Sequence, residues 1–152
     1  MTSSIPVLLV PVDFQKTSRK GLSVALDLAP SLKAEVVLLH VCEVPIYPYP
    51  GLDPVFQPGL NHEVTDAAKA ELERLAKECG ASRTIFRKGD PAIEILAAIE
   101  EEQPRFVVMG THGRGLFGRI MMGSVALKIL RASAAPVISV RMTDEEEAKA
   151  SK

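Results

Sequence analysis

The sequence predicts an α/β fold: a five-stranded parallel sheet, order 3-2-1-4-5, with helices on both faces. Three observations lead there. Short apolar runs such as residues 5–12 (IPVLLVPV) and 34–44 (AEVVLLHVCEV) are continuous rather than alternating, as in strands buried on both faces. Stretches with apolar residues at helical spacing separate those runs, and such alternation calls for parallel pairing through right-handed crossovers. The 152 residues, 47% apolar and 24% charged, are enough for one domain with its own core.

The first strand, residues 5–12, ends at Asp13. Thr17 or Ser18 is expected to cap a helix running to about residue 31, with Leu22, Ala25, Leu26 and Ala29 on one face. The second strand, 34–44, contains His40. No metal-ligating partner is spaced to join it, so it reads as a packed, hydrogen-bonded core histidine. Residues 45–60 carry five prolines and predict a loop without a regular element. That loop is long enough for a lid or a partner surface; the alternative is a disordered insertion. Residues 61–79 predict an amphipathic helix, with Val64, Ala68, Leu72 and Leu75 inward and Gly80 as its stop. A charged third strand, 82–88, leads to Asp90, which caps a helix with Pro91 at its first position. A fourth strand covers 105–110, a last helix 124–133 and a fifth strand 136–140. The charged residues 143–152 are expected to fray, as a tail outside a domain of residues 1–142.

Residues 106–125, FVVMGTHGRGLFGRIMMGSV, organise the rest. A strand stops at Gly110, glycines follow at 113, 115, 118 and 123, and Ser124 opens a helix. Strand, glycine-rich loop and helix start together hold phosphate, because glycine admits close backbone approach and a helix start has unpaired N–H donors. Gly123 is expected to serve that approach with a left-handed backbone. The stretch Gly113 to Gly118 matches GxGxxG, but the acidic residue of a dinucleotide fold, about 20 residues on, would fall near Ile138, where no carboxylate stands. Gly118 to Ser124 has Walker A spacing without its lysine. The alternative is a mobile surface loop.

In an open α/β sheet, ligands lie beyond the carboxyl ends of the strands, where strand order reverses. That point lies between strand one, ending at Asp13, and strand four, ending at Gly110. A carboxylate at 13 can accept from ribose hydroxyls while the loop and helix start hold phosphate. The backbone of Val41 is placed to hydrogen-bond a base edge. Structural alternatives stand beside each: Asp13 and Ser124 as helix caps, Gly123 for close helix–sheet packing.

The pattern Gly110-x2-Gly113-x9-Gly123-Ser124 resembles the motif of the universal stress protein family, in its ATP-binding branch, at all four positions. Pro11-Val12-Asp13, Leu39-His40-Val41, residues 89–95 (GDPAIEI) and Ala135-Pro136-Val137 resemble other parts of the family, so the likeness covers nearly the whole chain. It implies a Rossmann-like fold of the adenine nucleotide alpha hydrolase type and an ATP-binding regulator or sensor in stress response. It further implies Asp13 on ribose, the Val41 backbone on adenine, and Gly110, Gly113, Gly123 and Ser124 on phosphates that carry Mg²⁺. Pro11, Val12, Met109 and Val125 flank these positions and complete the nucleotide-binding set. Thr111 and His112 could add donors. Arg114 and Arg119 are candidate counter-charges, or merely solvated.

A net charge of −1 and a pI near 6.3 argue against a nucleic-acid binder, which needs a basic face. No apolar run reaches membrane-spanning length and no secretory signal precedes the domain, so a cytoplasmic protein with no membrane contact is expected. Cys42 and Cys79 read as reduced packing thiols. A slow ATP-cleaving or adenylate-forming enzyme of the same layout is the alternative function, against which no nucleophile–base pair stands near the loop. A structural dimer module with an idle crevice is a third reading. Strand three carries Arg83, Arg87 and Lys88, whereas residues 136–141 are uncharged until Arg141. An open apolar edge needs a cover, so a homodimer pairing two copies of strand five is expected, unless the acidic tail covers it. The regulatory reading also implies a protein partner, whose identity the sequence does not carry.

Overall fold

The computed structural model describes residues 4–43, 58–111 and 122–150. Their elements are β1 (Val7–Pro11), α1 (Lys16–Leu32), β2 (Glu35–Cys42), α2 (Pro58–Cys79), β3 (Arg83–Lys88), α3 (Pro91–Glu102), β4 (Phe106–Thr111), α4 (Ser124–Ala132), β5 (Val137–Arg141) and α5 (Asp144–Ala150). The strands form one parallel sheet in the predicted order, β3-β2-β1-β4-β5.

Alternation along the strands splits the core in two. Leu8, Val10, Val36 and Leu38 pack with Leu22 and Ala25 of α1 and with Leu72 and Leu75 of α2. Leu9, Val37, Leu39 and Val107 pack beneath Ile95 and Ile99 of α3 and Ile129 of α4. Both faces of β1 and β2 are therefore apolar, which is why those strands read as unbroken hydrophobic runs. Full burial of each such side chain stabilises by about 1.5–3 kcal/mol.

The helix α1 lies unusually close to β4. A Cβ on Gly110 would stand 2.2 Å from the Thr17 carbonyl oxygen, and one on Gly21 would stand 2.8 Å from the Gly110 nitrogen. Both positions are glycine because two backbones meet there. At the edge strand β3, Arg83 pairs with Glu102 and Glu35, and Arg87 with Glu101 and Glu94. Such partly exposed pairs add little stability, but they keep charge along an edge that would otherwise invite another strand.

Three boundaries differ from expectation. The helix α2 starts at Pro58, inside the proline-rich stretch, because a proline in a first turn loses no hydrogen bond. The helix α1 starts at Lys16 with Gln15 as its cap residue, so Thr17 and Ser18 lie in its first turn. The Gln15 N–H donates to Asp13 Oδ1 at 2.9 Å, and this turn starts the helix early. The tail forms α5 rather than fraying. Glu146 N–H donates to Thr143 Oγ1 at 3.3 Å and Thr143 N–H to Glu146 Oε2 at 2.6 Å, a capping box. Lys20 of α1 pairs with Glu146.

Gly110→Ala is expected to destabilise the ligand-free protein by about 1–3 kcal/mol, the usual cost of overpacking. Urea unfolding checks this; a midpoint equal to wild type would mean that α1 withdraws without loss. A second expectation concerns the tail. The hydrogen bond from Lys20, followed by that from the Thr143 backbone, holds the Glu146 carboxyl at about 2, below its ordinary 4.5. Its folded value is the lower one, so the tie is complete above about 4.5 and is lost as pH falls toward 2. The Thr143 amide resonance should move through that window, and a flat titration would contradict the tie.

Candidate functional site

The sheet is not paired along its whole length between β1 and β4. Only Leu8↔Phe106 and Leu9↔Val107 are in register, although β1 runs on to Pro11 and β4 to Thr111. Beyond Leu9 the two strands part, and a crevice of about 550 Å³ opens at their carboxyl ends. This is the switch point that the strand order predicts.

Nine of the residues singled out from the sequence line it. Pro11, Val12 and Asp13 come from the end of β1, Val41 from β2, Met109 and Gly110 from β4, and Gly123, Ser124 and Val125 from the start of α4. Thr111 is not among them. It is 1% exposed, and its hydroxyl donates to the Val140 carbonyl at 3.4 Å. His112, Gly113, Arg114 and Arg119 lie outside the described residues.

Asp13 sits in a small hydrogen-bonded turn. Its N–H donates to Ser18 Oγ at 3.3 Å, and the Ser18 hydroxyl donates to the Gln15 carbonyl at 3.0 Å. The Asp13 carboxylate takes the Gln15 N–H and is otherwise exposed at the crevice mouth. At the far side α4 begins on Gly123, with no side chain capping it. Its first-turn N–H groups and the positive end of its dipole are therefore available to an anion. Gly123 has φ −59, so its backbone is not left-handed, contrary to expectation. A side chain there is opposed by the need for close approach, not by strain.

The Val41 backbone has a defined direction. Odd-numbered residues of β2 face β1: Glu35 N–H donates to the Pro6 carbonyl at 2.9 Å and Val12 N–H to the Leu39 carbonyl at 2.8 Å. Even-numbered ones face β3, since Ser82 N–H donates to the Val36 carbonyl and Gly89 N–H to the Cys42 carbonyl. Val41 thus turns its N–H and C=O toward the side where pairing with β1 has ended, at Pro11↔Leu39.

Residues that the sequence did not assign to the site also line the crevice. Phe14, Val64, Ala68, Glu71 and Ile95 do so. The helix α2 has 22 residues, about 33 Å at 1.5 Å each, and its early turns overhang the sheet end. Val64 is 56% exposed there, because part of the predicted apolar face meets the crevice instead of the core. Glu71 is hydrogen-bonded by Arg74 and approached by Arg19, which hold its carboxyl below the usual range and offset its charge beside the crevice. Among the described residues, no three His, Cys, Asp or Glu side chains group to hold a metal, and no helix is long and apolar enough to cross a membrane.

A doubly wound parallel sheet with its cleft at the β1/β4 switch point defines a Rossmann-like α/β protein. The chain belongs to the universal stress protein family, whose model matches residues 5–141. It is similar to universal stress protein YxiE of Bacillus subtilis, 32% identical over 88% of this chain and 97% of that one. Its fold matches that of MJ0577 of Methanocaldococcus jannaschii, with TM-score 0.68 and 28% identity over 91% of this chain and 97% of that one. A universal stress protein family protein of Arabidopsis thaliana, with AMP bound, shares the fold at TM-score 0.62 and 20% identity, covering 93% of this chain and 94% of that one.

Proposed function

We propose that this chain binds ATP in the crevice and acts as a nucleotide-dependent regulator or sensor in the stress response of the cytoplasm, with an unidentified protein partner. The observation that carries the reading is the Val41 backbone. Its N–H and C=O stand side by side on the vacated flank of β2, and an adenine edge offers the matching acceptor and donor. Asp13 suits the ribose hydroxyls, and Gly110, Gly123, Ser124 and the uncapped start of α4 suit phosphates. His112, Gly113 and Arg114 join them from the sequence motif. A volume of about 550 Å³ is ample for a nucleotide. Mg²⁺ would ride on the phosphate oxygens, since no three-ligand set stands among the described residues. The Arabidopsis relative adds that a protein of this fold holds an adenine nucleotide. In this reading residues 1–142 are the nucleotide-binding unit, and 143–152 are a tail.

Mass spectrometry of the denatured purified protein tests the proposal. Co-purifying ATP is the expected result, ADP or AMP favours a cleaving enzyme, and no nucleotide favours an idle crevice. Asp13→Ala should weaken ATP binding by about 1.5–3 kcal/mol, the scale of hydrogen bonds to a charged group, and leave inorganic tripolyphosphate nearly unchanged. Equal losses for both ligands would move Asp13 to the phosphates.

The same reading includes a homodimer through β5. Val107 N–H donates to the Pro136 carbonyl, so even-numbered β5 residues face β4 and Ser139 turns its N–H and C=O outward. Ser139 is exposed, while the tail is drawn to α1 by Lys20 and Glu146. Ser139→Pro removes an outward donor without costing a β4–β5 hydrogen bond. Light scattering should give a dimer for wild type at micromolar concentration and a monomer for the variant; a monomeric wild type or an unaffected dimer refutes this.

A further inference from the structure

The ladder between β1 and β2 stops one rung short. Val12 N–H donates to the Leu39 carbonyl at 2.8 Å, and a regular parallel ladder would next run from Val41 N–H to the Val12 carbonyl. That rung is not made, because the register ends at Pro11↔Leu39. The Val12 carbonyl is met instead by Nδ1 of His40 at 2.7 Å. A carbonyl can only accept, so Nδ1 carries the hydrogen and the ring donates. The imidazole is held in place by two aromatic rings. Phe14 lies 4.4 Å away between centroids and Phe86 5.9 Å, both tilted. Phe14 itself has φ 64, a left-handed conformation that a bulky residue rarely adopts. Such strain persists only where the surroundings over-determine it, and the stack on His40 is part of what does so here.

We propose that His40 is a positioning residue of the crevice: its imidazole takes the Val12 carbonyl in place of the Val41 N–H, which leaves that N–H for an acceptor on a bound base. This rests on the nucleotide reading above and deepens it. The same hydrogen bond pins Val12, and Asp13 follows directly in the turn closed by Ser18 and Gln15. One side chain therefore prepares both the base end and the ribose end of the crevice. Without an imidazole donor, the Val12 carbonyl has the Val41 N–H as its natural partner. The ladder would then close by one rung and withdraw the donor from the ligand. An imidazole suits the task because its donor stands at a fixed short distance from the backbone and its two flat faces can be packed.

Amide hydrogen exchange in the ligand-free protein tests the substitution of one donor for the other. In wild type the Val41 amide should exchange at least about tenfold faster than the Leu39 amide, whose rung is made. In His40→Leu the Val41 amide should slow by about tenfold or more as the missing rung forms. Calorimetry should then show ATP weakened about tenfold, the scale of one lost hydrogen bond, with inorganic tripolyphosphate unchanged. His40→Asn puts an amide donor where Nδ1 stood, and should keep ATP affinity within about threefold of wild type. A Val41 amide as protected as Leu39 in wild type overturns the proposal, whatever becomes of the variants. So does an ATP loss in His40→Leu matched by an equal tripolyphosphate loss, or no loss at all. A wild type that binds no ATP defeats the nucleotide reading, while the exchange pattern still decides the role of His40.

Discussion

Two glycines, Gly21 and Gly110, let the backbone of α1 touch the backbone of β4, and the crevice depends on that contact. Because α1 is pressed onto β4, its first turn stands at the end of that strand, with the Thr17 carbonyl where a Gly110 side chain would be. The turn before it, which carries Asp13, is thereby brought beside Gly110. The sheet contributes the opposite motion, since β1 and β4 part after two paired positions. The helix holds together at the surface what the sheet separates beneath it, and a cleft remains between them. Gly110 consequently has a structural reason to be glycine that owes nothing to a phosphate.

The crevice walls differ in chemistry because the sheet edge has two faces. On the α1 and α2 side stand Phe14, His40 and the overhanging Val64, an aromatic and aliphatic wall. On the α3 and α4 side stand Met109, Ile95 and the uncapped start of α4. Between them runs the backbone of Val41, whose N–H and C=O lie beyond the end of the ladder with β1. Acidic side chains beside the crevice would repel an anion, and the arginines on Glu71 offset one of these charges. The Val41 N–H and C=O that face the crevice have their direction set by the sheet and not by a flexible side chain.

Much of this was legible without coordinates, and for a common reason. Continuous apolar runs, helical spacing, the Asp90-Pro91 helix start and the Gly80 stop are all local signals, and each determined an element within a few residues. Alternation of strand and helix then determined the parallel sheet, and its strand order determined that a crevice would open between the ends of strands one and four. Even the capping box at Thr143 and Glu146 was present in the letters, hidden by the charged composition around it. The tertiary structure alone decided what depends on distances between remote segments. The overhang of α2 depends on helix length relative to strand length. The Gly21–Gly110 contact depends on two backbones 89 residues apart meeting within van der Waals range. The exchange of the Val41 N–H for the His40 imidazole at the Val12 carbonyl depends on where one strand turns away from its neighbour. A sequence records which groups can donate and accept; only the packed chain determines which of them find each other and which are left for a ligand.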